Sequence, residues 1–122
     1  MTALNILVVD DEPDLAESIA EALSLAGHTV RIAGNGAEAV QRYSETKYDL
    51  GFVDIRMPVM NGVDCFFAVR ERYPDAKIVL MTGFKEPAVE RALAAGALAL
   101  LHKPFRMEDV IKLAHQNGQP AA

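Results

Sequence analysis

YDLGFVDIRMPVMNG, residues Tyr48 to Gly62, is the stretch whose reading decides the fold. Within it Leu50 to Val53 is a short apolar run without charge, set between Asp49 and a turn signal. Such a run predicts a strand buried on both faces, as in a parallel sheet. The strand delivers one carboxylate, Asp54, to its end. Pro58 then removes a backbone donor and biases Met57 toward extended geometry, while Asn61-Gly62 supplies a turn before the next helical pattern. An acid at the carboxyl end of a buried parallel strand stands where open α/β sheets bind ligands and do chemistry. Taken alone, an Asp at a strand exit is more often a turn former or a helix cap.

The same pattern repeats outward in both directions. Leu4 to Val9 is an apolar, β-branched run that ends in Asp10, Asp11 and Glu12, with Pro13 where a first helical turn tolerates it. Leu15, Ile19, Ala22, Leu23 and Ala26 recur at helical spacing, and Gly27 supplies the stop. Thr29 to Ala33 is a second strand with no chemistry at its exit. Asn35 with Glu38 three residues on resembles a capping box opening a helix through about Ser44. Beyond the Asp54 loop, Val63, Phe66, Phe67 and Val69 predict a helix ended by Pro74-Asp75, and Ile78 to Met81 a strand leading to Thr82-Gly83. A thinly apolar helix from about Pro87 to Ala95, with Val89, Ala92 and Leu93 as its stripe, is expected to be the element that moves. Ala97 to Leu101 is the fifth strand and opens into His102-Lys103-Pro104-Phe105. A last helix follows on Met107, Val110, Ile111 and Ala114, and Gly118 to Ala122 is expected to fray.

Composition narrows the function classes. A chain of 122 residues with 51% hydrophobic content has the size of one compact domain. Its net charge of −5, with mixed signs and no basic run, offers no footprint for nucleic acid or an acidic membrane surface. The single cysteine, Cys65, excludes an intrachain disulfide framework and fits a reducing cytosol. The opening MTALNILVVDD reaches acids too early for a secretory signal or a membrane span. The expected location is the cytoplasm.

Strands alternating with helices through short loops predict a doubly wound parallel sheet with right-handed crossovers, in the flavodoxin-like order 2-1-3-4-5. In that sheet Asp10, Asp11, Asp54, Thr82 and Lys103 exit at one end. Clustered carboxylates are a poor structural choice, because two like charges at 4 Å cost about 4 kcal/mol at an effective dielectric near 20. A helix amino-terminus favouring negative charge explains the Asp10-Asp11 pair alone equally well. With Asp54 opposite, a cation is the better explanation, and few oxygen ligands on an open site suit Mg²⁺. His28, His102 and Cys65 share no metal-ligand spacing and are expected to be structural or exposed.

VVDDEP at the first strand exit, VDIRMPVMNG at the third, MTGF at the fourth and HKPF at the fifth together resemble a response-regulator receiver domain. The resemblance spans almost the whole chain and implies a single receiver domain over residues 1–122. It implies that Asp54 is the phosphoacceptor, taking a phosphoryl group from a sensor histidine kinase, a histidine phosphotransfer protein or a small phosphodonor. Asp11, Asp54 and the backbone carbonyl of Arg56 would ligate Mg²⁺, with Asp10 helping through water. Thr82 and Lys103 would bind the phosphoryl oxygens, and Lys103-Pro104 would be a cis peptide. The domain would be a signalling switch that catalyses its own phosphorylation and dephosphorylation, not an enzyme in the ordinary sense. Its downstream protein, or a second copy, would dock on the face of the fourth helix, fifth strand and last helix. One position departs from the family: Leu100 stands where an aromatic ring or His usually precedes the lysine by three residues, which puts the usual route of output in doubt. Arg56 and Phe84 flank the site.

Two other classes compete. An aspartyl-nucleophile, Mg²⁺-dependent phosphatase or phosphotransferase could use Asp10-Asp11-Glu12, but such enzymes usually carry a larger cap. A flavin- or nucleotide-binding domain would want Gly, Ser or Thr after the first strand, where three acids repel phosphate.

Overall fold

In the computed structural model, which describes residues 3–117, five parallel strands carry five helices. The strands are β1 (Asn5–Val9), β2 (Thr29–Ala33), β3 (Leu50–Asp54), β4 (Ile78–Thr82) and β5 (Ala99–His102), and they lie in the order β2-β1-β3-β4-β5. The helices are α1 (Pro13–Leu25), α2 (Gly36–Glu45), α3 (Gly62–Arg72), α4 (Ala88–Ala94) and α5 (Met107–Asn117). The fold class and strand order are those the sequence predicts, with β2 at an edge.

Alternation along the strands sorts side chains into two cores. Leu7, Val9, Val53, Ile78 and Leu80 face α2, α3 and α4, where Ala39, Tyr43, Val63, Phe66, Val69, Val89 and Ala92 pack against them. Ile6, Val8, Leu50, Phe52, Val79 and Met81 face α1 and α5, meeting Ala16, Ile19, Leu23, Val110 and Ala114. Every residue of β3 and of β4 is buried, as continuous apolar runs require. Each fully buried large side chain contributes roughly 2 kcal/mol relative to exposure. The sheet is thus a rigid platform, and β1 and β3 pair in register from Ile6–Leu50 to Val9–Val53. That register brings the ends of both strands to the same level.

Several boundaries differ from the expectation. Leu4 lies outside β1, and β5 begins at Ala99 because Ala97 still closes α4 through its N–H to the Ala92 carbonyl. Pro87 is the N-cap of α4, which therefore begins at Ala88. Asn35 Oδ1 accepts from Glu38 N at 2.8 Å as a cap should, but the Glu38 carboxylate returns to Gly34 N at 3.0 Å, one residue earlier than in the usual box. Phe67 turns outward at 38% exposure, and Cys65 takes its place in the core. Leu93 is likewise 40% exposed, so α4 is held by Val89 and Ala92. The predicted frayed tail, 118–122, lies outside the described residues.

The loop after β3 contains a local conflict. Val59 has φ of 72° and is flanked by a Met60 N–H to Pro58 carbonyl bond of 2.8 Å, a γ-turn in the rare, strained sense. A β-branched residue in the left-handed region costs about 1–2 kcal/mol, and Val59, 85% exposed, recovers nothing by packing. Val59→Asn is therefore expected to stabilise the protein by about 1 kcal/mol, seen as a higher melting temperature with unchanged denaturant m-value.

Candidate functional site at the carboxyl end of the sheet

Asp10 follows β1, and its N–H donates to the Ala33 carbonyl at 3.1 Å, extending the β1–β2 ladder by one bond. Its carboxylate accepts from Glu12 N at 2.9 Å and is buried, whereas Asp11 is exposed. Asp54 is the last residue of β3 and is 3% exposed. It is fixed there because Ile55 N–H still donates to the Met81 carbonyl at 2.9 Å. One carboxylate oxygen from each of Asp10, Asp11 and Asp54 lies within 4.8 Å of the others. The predicted convergence of these three acids is present.

Lys103 reaches the same point from beyond β5. Its N–H donates to the Thr82 carbonyl at 2.8 Å, and the Lys103-Pro104 peptide bond is cis, as expected from the resemblance. Its ammonium lies 3.2 Å from Asp54 Oδ1, 3.3 Å from Asp10 Oδ2 and 3.6 Å from Glu12 Oε1. Glu12 as a third partner was not anticipated, though its place beside Asp10-Asp11 was the available signal. One cation therefore faces a surplus of negative charge. Burial pushes the Asp54 pKa up to about 6, Asp10 adds to the rise, and Lys103 only partly opposes it. Burial also raises Asp10 against the opposing Glu12 N–H and Lys103. Burial lowers the Lys103 pKa, but the attraction of Asp10 and Asp54 outweighs it and leaves the ammonium above its ordinary range.

Thr82 ends β4 with its hydroxyl turned into its own loop, donating to the Phe84 carbonyl at 3.0 Å and accepting from Phe84 N at 3.1 Å. Thr82 also lines a cavity of about 420 Å³ with Phe84, Val89, Leu93 and Leu100, and Leu100 is half-buried. Arg56 lines a second open cleft, about 390 Å³, with Asp11, Asn61 and Glu86. Its guanidinium pairs with Glu86 at 2.9 Å and covers the Phe84 ring at 4.0 Å, a partnership that no sequence spacing signals. His102 is exposed, whereas His28 is buried at the far end of β1, accepting from Leu4 N at 3.1 Å.

The donor set fits a hard divalent cation: all-oxygen, open on the Asp11 side, and with two buried carboxylates whose pKa values are raised, chiefly by burial. A further cavity, about 510 Å³ and lined by Tyr43, Tyr48 and Tyr73 between the ends of α2 and α3, is remote from these acids.

Fold and acidic site together define a doubly wound α/β domain with a cluster of three carboxylates at the carboxyl end of its sheet, and its relatives make the class specific. Residues 6–115 match the family model of the response regulator receiver domain. The chain is 36% identical over 109 residues to chemotaxis protein CheY of Thermotoga maritima, covering 88% of this chain and 91% of that one. It is 37% identical over 108 residues to a response regulator receiver protein of Anaeromyxobacter, covering 88% of this chain but 45% of the relative, so it spans about half of that protein's length. A solved structure of response regulator protein TrrA from Thermotoga maritima, in complex with Mg(2+)-BeF, superposes with a TM-score of 0.83 at 32% identity, covering 92% of this chain and 96% of that one. The chain belongs to the response regulator receiver domain family.

Proposed function

We propose that this receiver domain is a phosphorylation-driven switch in which Asp54 accepts a phosphoryl group from the phosphohistidine of a sensor kinase or phosphotransfer protein. An Asp54 carboxylate oxygen attacks phosphorus, the phosphorus–nitrogen bond breaks, and the imidazole leaves and takes up a proton. The observation that carries this reading is the placement of Asp10, Asp11, Asp54 and Lys103 around one point at the end of the central strands. Phosphoryl transfer needs alignment and neutralisation of charge more than covalent help.

Asp11, Asp54 and the Arg56 carbonyl would hold Mg²⁺, with Asp10 acting through water. When bound, the ion would supply positive charge to the transferring oxygens. Lys103, already 3.2 Å from Asp54, would follow the new charge, and Thr82 would leave Phe84 to donate to a phosphoryl oxygen. The complex of TrrA with Mg(2+)-BeF supports the assignment by analogy. The face of α4, β5 and α5 is the proposed docking surface for a downstream protein or a second copy.

Intact mass after treatment with acetyl phosphate and Mg²⁺ tests this. The wild type is expected to gain one phosphoryl group and Asp54→Ala none. Lys103→Ala should retain some uptake while losing the conformational response. A full mass shift in Asp54→Ala would remove the central claim.

The output half of the switch rests on the cavity between Thr82 and Leu100. Moving Thr82 toward a phosphoryl group enlarges that space, and one aliphatic side chain fills it only partly. Inverting a 1:99 population takes about 5.5 kcal/mol of differential stabilisation, more than Leu100 can supply alone. Leu100→Tyr is expected to sharpen the change in hydrogen exchange across 83–101 on phosphorylation. Identical exchange responses in wild type and Leu100→Tyr, with Asp54 occupied, would place the output elsewhere.

A further inference from the structure

Arg56 belongs to the loop after β3, and Glu86 and Phe84 belong to the loop after β4, about thirty residues on. The Arg56 Nε donates to Glu86 Oε1 at 2.9 Å, and its guanidinium carbon sits 4.0 Å from the Phe84 ring centroid. Phe84 is in turn fastened through both its N–H and its carbonyl to the Thr82 hydroxyl. Glu86, Arg56, Phe84 and Thr82 thus form one unbroken chain of contacts, and Arg56 and Glu86 share a cleft with Asp11.

A hydroxyl has one hydrogen to donate, and in Thr82 the Phe84 carbonyl holds it. Thr82 can donate to a phosphoryl oxygen only by giving up the Phe84 carbonyl, on a residue whose ring is pinned under Arg56. We propose that Glu86 is a positioning residue: through Arg56 and Phe84 it latches Thr82 in the resting arrangement, and occupation of Asp54 has to release that latch. The inference rests on the reading of Asp54 as acceptor and Thr82 as the group that moves. Contacts made only in the resting state lower the affinity of any ligand that selects the other state. The ion pair alone is weak, because the Arg56 side chain is 59% exposed. Together with the stacked ring it is expected to hold the resting state by about five- to tenfold.

Two substitutions of opposite charge separate a latch from general electrostatics. Glu86→Gln removes a negative charge near the site and Arg56→Gln a positive one. Field effects would move the affinity for an anion in opposite directions, whereas loss of a latch moves both the same way. The probe is beryllium fluoride with Mg²⁺, titrated by NMR, alongside hydrogen exchange of the metal-free proteins. Both variants are expected to bind the probe about five- to tenfold more tightly, and both should speed exchange at 84–88 without changing β1 and β3. The paired swap Arg56→Glu with Glu86→Arg should return both readouts toward wild type. Opposite shifts in affinity, or unchanged loop exchange, would overturn the latch. Faster exchange with unchanged affinity would overturn its coupling to Thr82. Failure of the wild type to take up the probe at all would instead count against Asp54 as acceptor, and the metal-free exchange would still decide the latch.

Discussion

At pH 7 without divalent ions, Asp54→Asn is expected to melt about 10 °C above the wild type, a gain of about 2–3 kcal/mol for a domain of this size. The cause is the buried carboxylate itself. Its pKa in the folded protein is pushed up to about 6, while the unfolded chain titrates near the ordinary carboxylate value of about 3.9. The folded state therefore binds more protons than the unfolded state between those values, and stability falls as pH rises through that window. Above about pH 6 the penalty is complete, and each unit of difference is worth about 1.4 kcal/mol. Asparagine keeps the shape and removes the charge, and Lys103 retains Asp10 and Glu12 as partners. The gain should shrink as pH falls below about 6 and vanish only below about pH 3, where the wild-type carboxyl is protonated in both states. Mg²⁺ should stabilise the wild type by about 2.7 kcal/mol at a hundred times its dissociation constant, seen as a higher melting temperature, and should do less for Asp54→Asn. Equal melting of the two proteins at pH 7 would show that the buried Asp54 carboxylate does not carry this penalty.

The parts of this site that were legible in the sequence are those set by single residues at strand ends. A buried run such as Leu50–Val53 fixes both a strand and the residue it delivers, so Asp54, Asp10 and Thr82 could be placed together once the strands were taken as parallel. Lys103 followed because it leaves β5 at the same end. Contacts between two loops were not legible. Arg56 and Glu86 are separated by the whole of α3 and β4, and no periodicity links them. Helix faces were legible only in outline: Phe67 and Val63 both suit an apolar stripe, and the small angular difference that buries Val63 and exposes Phe67 depends on how α3 lies on the sheet. That Thr82 leaves the sheet beside the acids was legible, but the resting direction of its hydroxyl was not, because its own loop offers it a donor and an acceptor two residues away. Local hydrogen bonds of this kind win when no ligand competes.

Gly62 shows the same limit in a residue whose presence was anticipated for another reason. Asn61-Gly62 looks like a turn, and Asn61 does cap α3, with Oδ1 accepting from Asp64 N at 2.9 Å. The need for glycine lies instead in how closely the first turn of α3 approaches β3. Gly62 N–H donates to the Ile55 carbonyl at 2.8 Å, and a Cβ at this position would overlap the Asp54 carbonyl oxygen and sit 2.8 Å from the Asp54 carbonyl carbon and Ile55 Cα. These are backbone atoms at the end of a central strand, held by the ladder to β4, and they cannot give way as a flexible side chain would. Gly62→Ala is therefore expected to destabilise the domain by about 3 kcal/mol, the upper range for forced overpacking. It should also blunt the Mg²⁺-induced rise in melting temperature, because relief of the clash has to move either α3 or Asp54. Gly34→Ala is the matched control: its Cβ would meet nothing closer than Glu38 Oε2 at 3.7 Å, and the change should stay within about 0.5 kcal/mol. Similar melting of Gly62→Ala and Gly34→Ala would mean that α3 does not press on the end of β3, and that Asp54 is held in place by the sheet alone.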